Sequence, residues 1–138
     1  MARDIENDFA KLEWLDDGLI RITRTSKALE SMADMTAAWD DICRGLLFVD
    51  RARVRMLIDT SAAPGRNDPA FERAFAPIRT ELTRGFARCA VVVRMAVSRL
   101  QVKRHAATDG ADVRVFTDAD EALRWLRNGD LTDAAVLK

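Results

Sequence analysis

The sequence predicts an α/β fold in which a mixed five-stranded sheet is covered by about four helices. Three observations predict it: two short alternating runs joined by Asp17-Gly18, three later apolar runs each followed by a helical pattern, and helix-start signals at Ser31, Asp68 and Asp118. Successive strand–helix units favour right-handed parallel crossovers, and a hairpin adds one antiparallel pair. At 138 residues the chain fits one domain, large enough to bury a core without disulfides or a structural metal.

Phe9–Leu15 and Leu19–Thr25 read as the hairpin. Leu12 and Trp14 on one strand share a period of two with Ile20 and Ile22 on the other, and Asp17-Gly18 predicts a two-residue type I′ turn. Ser31 to Asp34 reads as a capping box opening a helix to about Val49, with Met32, Met35, Trp39, Ile42, Cys43 and Leu46 in one apolar stripe and Asp34, Asp41 and Arg44 opposite. Val54–Asp59 is too short for a helix and reads as an interior strand.

A loop, Thr60–Asp68, leads to Asp68-Pro69, where aspartate caps free amides and proline loses no hydrogen bond. The helix that follows is expected to bury Phe71, Ala74, Phe75, Ile78 and Leu82, to kink or break at Pro77 and to stop near Gly85. Ala87–Met95 is the most hydrophobic strand and should be central and buried on both faces. A third helix is expected over about Ala96–Thr108, then a last strand, Val113–Thr117, and a final helix capped by Asp118 that buries Ala122, Trp125 and Leu126 and ends at Asn128-Gly129. The organisation is thus a tail (1–8), a domain (9–128) and a second tail (129–138).

Composition narrows the function classes. Hydrophobic residues make up 49% and charged residues 32%, the balance of an ordinary globular protein. No apolar run approaches the roughly 20 residues of a membrane helix, and Met1–Asp8 is too acidic and polar for a secretory leader, so a cytoplasmic location is expected. Cys43 and Cys89 lie in apolar patterns without ligand-like spacing and read as reduced core residues, not metal ligands. The formal charge is zero, but residues 73–104 carry eight bases and one acid while both ends are acidic. Because those ends offset the basic stretch and aromatic residues are scarce in it, no affinity for nucleic acid is expected.

The element order, the run Arg88-Cys-Ala-Val-Val-Val93 and the ending from Val113-Arg-Val-Phe-Thr-Asp-Ala-Asp-Glu-Ala-Leu-Arg-Trp to Leu126 resemble the SpoIIAA-like, STAS-like family of small bacterial domains. The resemblance covers roughly residues 9–128. It implies a non-enzymatic regulatory module that binds a protein partner, with a small-molecule or lipid carrier, using an apolar cavity between sheet and helices, as the alternative. A small apolar or anionic ligand is the second class of partner, and a homodimer is compatible with either. In the antagonist branch a serine at the start of the second helix is phosphorylated. Here that start reads Arg66-Asn67-Asp68-Pro69 without a hydroxyl, leaving Ser61 or Thr60 as the nearest candidate phosphoacceptor.

Ligands of parallel sheets tend to bind beyond the carboxyl ends of the strands. Asp59, Thr60, Ser61 and Arg94 fall at such ends, and Arg66 and Asn67 lie in the adjoining loop. These are the candidate partner- or ligand-binding residues, against the commoner use of Asp59, Thr60 and Asp68 as turn and helix caps. Lys103 joins them because helical spacing puts it on an apolar face, where it serves a rim, an interface or an anion pocket. His105, the only histidine, is expected on the water side. Nucleophile elbows, phosphate loops and dinucleotide fingerprints are missing from the sequence, and no catalytic residue, cofactor or metal is assigned.

Overall fold

The computed structural model describes residues 4–64, 68–94 and 113–137, with the backbone alone from 129 onward. Among these residues, six strands form one sheet in the order β1 (Ile5–Glu6), β2 (Ala10–Asp16), β3 (Leu19–Arg24), β4 (Arg55–Asp59), β5 (Arg88–Val92) and β6 (Arg114–Phe116). β2 pairs antiparallel with both β1 and β3, and β3 to β6 pair in parallel. Three α-helices are described: α1 (Met32–Leu46), α2 (Pro69–Thr83) and α3 (Ala119–Leu137). The sixth strand corrects the expected five. It comes from Ile5 and Glu6, too short a stretch to show alternation, which pair with Leu12 and Lys11. The expected third helix, Ala96–Thr108, lies outside the described residues.

The hairpin forms with Leu12 opposite Ile22 and Trp14 opposite Ile20. Its turn is not type I′, because neither Asp17 nor Gly18 adopts a left-handed conformation. Pairing slips by one residue at Leu15, so that Asp16 opposes Leu19, and the Asp16 carboxylate accepts the Gly18 amide hydrogen at 2.9 Å. The extra residue supplies twist that the turn type would otherwise provide.

Ser31 caps α1 by accepting from the Asp34 amide at 3.1 Å, while the Asp34 carboxylate reaches back one residue past the cap to the Glu30 amide at 3.0 Å. Met35, Ala38, Trp39, Ile42 and Leu46 are buried. Met32, in the first turn, is not: it is 43% exposed. Asp68 accepts from the Ala70 and Phe71 amides, and Pro69 opens α2 as expected. The helix runs unbroken through Pro77 and buries Phe71 and Leu82 fully, with Ala74, Phe75 and Ile78 half-buried against the core. Gly85, with φ of +81°, stops it. The Arg51 guanidinium then donates to the Glu81 and Arg84 carbonyls at 2.6 and 2.8 Å, satisfying acceptors the helix end leaves open.

Helices α1 and α2 cover one face, where Leu12, Ile20, Ile22, Met56, Ile58, Cys89 and Val91 meet Trp39, Ile42, Leu46 and Leu82. The other face packs Leu19, Leu57, Ala90 and Val92 against Ala122, Trp125 and Leu126 of α3. β5 is therefore buried on both sides, as its composition predicts, although it lies one strand from the β6 edge instead of at the centre. Asp118 caps α3 through the Asp120 and Glu121 amides. The helix does not end at Asn128-Gly129 but continues to Leu137, since one glycine costs a helix only about 1 kcal/mol.

Candidate functional site

The carboxyl ends of β4 and β5 come together as the sequence predicts, but their polar groups satisfy one another. The Thr60 amide and hydroxyl both donate to the Val92 carbonyl, at 2.9 and 2.8 Å. The Asp59 carboxylate accepts from the Ser61 amide at 2.9 Å and from its hydroxyl at 2.6 Å. This is a closed turn whose side chains replace backbone partners. Arg94 stands exposed two residues beyond Val92. Arg66, Asn67, Lys103 and His105 lie outside the described residues.

A larger concavity opens at the opposite end of the sheet, between the hairpin and the end of α1. This cleft, about 880 Å³, has Ile5, Trp14, Val49 and Val54 as its apolar lining, with Phe48 at its rim. Ile5 in its wall packs so closely on Gly45 that a β-carbon there would collide with the end of the isoleucine side chain. Phe48 is 93% exposed and Leu47 64%. Burying either would be worth about 1.5–3 kcal/mol, so the fold leaves a substantial apolar surface unused.

The charges of the cleft are unequal. Its polar lining is Asp4, Asp17, Asp41 and Asp50 against Arg44 and Arg53. Arg44 pairs with Asp41 and, at 3.7 Å, with Asp40, and Arg53 lies 3.5 Å from Asp50. Asp4 accepts the Trp14 amide at 3.1 Å. Among the described residues neither Asp4 nor Asp17 has a cation within ion-pair distance. Beyond Arg53 the sign reverses, where a smaller hollow of about 330 Å³ gathers Arg53, Arg55 and Arg127 against Asp16 alone.

Sequence reasoning missed this cleft. One signal was present: Leu46-Leu47-Phe48-Val49 is an unbroken apolar run at a helix end, and a helix facing one layer cannot bury four successive residues. Two buried polar groups were also not anticipated. Arg24, 8% exposed, donates to the Phe9 and Lys27 carbonyls, and burial pulls its pKa below the ordinary guanidinium value. Trp39 Nε1 is buried between α1 and α2 with no hydrogen-bond partner among the described residues.

The family model described as SpoIIAA-like matches residues 3–127. The chain belongs to the SpoIIAA-like family. A similar solved structure is that of an uncharacterised protein of the DUF3478 family with a SpoIIAA-like fold from Shewanella loihica PV-4, with a TM-score of 0.61 and 14% identity over 85% of this chain and 91% of that one. At that identity the likeness shows the fold alone. No curated protein matches the chain. The SpoIIAA-like fold supports a module of regulatory or binding type, and no helix among the described residues is long and apolar enough to cross a membrane.

Proposed function

We propose that this SpoIIAA-like chain is a non-enzymatic regulatory module that binds a protein partner, and that the partner docks at the cleft beside Phe48. The observation that supports this reading is the exposure of Phe48 on the rim of a concavity that also presents Trp14. Aromatic side chains around a pocket are the usual anchors of protein interfaces. The turn at Asp59 to Ser61 is the weaker docking site, because a partner there would have to break bonds already made. A phosphate on Ser61 would stand beside the Asp59 carboxylate, so modification would open the turn by repulsion.

The test is recovery of the partner from the native host with tagged protein. Phe48→Ser should leave the melting temperature unchanged and remove the partner. Retention of the partner by this variant would exclude the cleft.

The carrier reading draws its support from Trp39. A buried indole N–H without an acceptor costs about 1–3 kcal/mol, and a ligand oxygen entering between α1 and α2 would relieve that cost. Native mass spectrometry of protein freshly purified from its host decides the matter: a copurified small molecule that Trp39→Phe fails to retain supports the carrier.

A further inference from the structure

We infer that the cleft between the hairpin and the end of α1 takes a partner segment in which an apolar anchor is flanked by lysine or arginine. This rests on the protein-binding reading above and gives the partner a chemistry. The apolar lining, Ile5, Trp14, Val49 and Val54 with Phe48 at the rim, asks for an aliphatic or aromatic side chain.

The charges decide what stands beside that side chain. Arg44 and Arg53 are engaged by Asp41 and Asp50, and among the described residues no cation lies within ion-pair distance of the Asp4 or Asp17 carboxylate. Asp17 sits at the tip of the hairpin, where its carboxylate is exposed. A cation brought there gains attraction without displacing an existing pair, whereas an anion is repelled. Complementary charge at a rim also steers encounter and sets specificity.

The same charges disfavour other occupants. A second copy docked with its two-fold axis through the cleft would set Asp4 and Asp17 near their own copies, opposing like carboxylates across the axis. At the cleft itself an anionic membrane surface or a nucleic acid meets the same repulsion, and the attraction of the arginines lies outside it, in the hollow beyond Arg53. The cleft also lies at the far end of the sheet from the turn after β4, so it forms a site separate from that turn.

Selection of a random peptide display library on the immobilised full chain tests the inference. Recovered peptides should carry an aromatic or leucine flanked by Lys or Arg, and their binding should weaken as salt rises. Phe48→Ser should weaken it about thirtyfold and Asp17→Lys about tenfold, with the circular dichroism spectrum and melting temperature unchanged. Acidic or uncharged peptides overturn the inference, and so do basic ones indifferent to Phe48→Ser and Asp17→Lys. A dimer that sedimentation detects and Phe48→Ser dissolves also overturns it, as does Phe48-dependent binding to vesicles of anionic lipid. If the library fails while the host partner is still lost with Phe48→Ser, the partner chemistry is wrong and the protein-binding reading stands. If Phe48→Ser also retains the host partner, both fall.

Discussion

Ile5 packs directly onto Gly45, so closely that a β-carbon at residue 45 would force the end of the isoleucine side chain to shift. The contact joins the edge strand β1 to α1 across a sequence separation that no local pattern reports, and it forms one wall of the cleft.

Replacing Gly45 should therefore have two opposed effects. Gly45→Ala gains about 1 kcal/mol of helix propensity but pushes Ile5 aside, which is tolerable only because the obstructing atoms belong to the end of a side chain. Ile5→Ala should remove the obstruction, so Gly45→Ala should be more favourable in that background than alone. A double-mutant cycle in urea measures the coupling; strict additivity would show that the two residues do not meet.

Trp39 should tolerate Phe far better than Ala. Truncation to alanine removes a buried ring packed 5.8 Å from Phe75 and should cost about 3–5 kcal/mol. Trp39→Phe keeps most of the packing and deletes the unpaired N–H, so its cost should fall below about 2 kcal/mol. Phe75→Ala should lie toward the low end of the truncation range, because that ring is only half-buried. Equal losses for both Trp39 variants in a denaturation series would mean that the indole N–H has an acceptor in solution.

Ser61→Ala should cost about 1 kcal/mol by removing the hydroxyl that donates to Asp59. Thr60→Val should cost a similar amount through the lost bond to the Val92 carbonyl. These residues contribute to stability even where they touch no partner. Melting temperatures indistinguishable from wild type in both variants would show that the turn is open in solution and available for binding.

Glu81 carries a pH dependence. Its hydrogen bond to the Arg84 guanidinium holds the carboxyl below its ordinary value against the opposing effect of burial, and the charges of Arg84 and Arg51 add to the lowering. A carboxylate with a depressed folded pKa contributes stability that is present above the unfolded pKa and is lost as pH falls through the folded one. Arg84 is mostly exposed, so the contribution should be at most about 1 kcal/mol. Glu81→Gln should accordingly be less stable than wild type near neutrality and converge with it in acid; a difference that persists in strong acid would assign the effect to packing.

The Cys43 thiol reports on the same neighbourhood. Burial raises its pKa first, Glu81 and Asp40 raise it further, and Arg51 opposes them. Alkylation by iodoacetamide at neutral pH should be slower than for a free cysteine and should quicken in Glu81→Gln. A rate equal to that of free cysteine would mean that the helix ends around Arg51 open readily.

Much of the secondary structure is legible along the chain because its causes are local. Ser31, Asp68 and Asp118 reach amides two or three residues away, Gly85 turns its own backbone, and the alternation of Leu12 and Trp14 with Ile20 and Ile22 follows from the pleat. The closed turn at Asp59 to Ser61 is local in the same way, which is why its capping role could be weighed from residue type.

What the tertiary structure decided lies at longer range. Met32 and Phe48 sit near opposite ends of one helix, and both are apolar. Their exposure follows from where the sheet and α2 stop, not from their spacing. Arg51 caps a helix end at carbonyls 30 and 33 residues further along the chain, and Ile5 finds Gly45 only once β1 has joined the sheet. The cleft, with carboxylates at Asp4 and Asp17 that no cation among the described residues pairs, arises where such contacts leave a gap, because an open surface is defined by what the fold brings together and fails to cover.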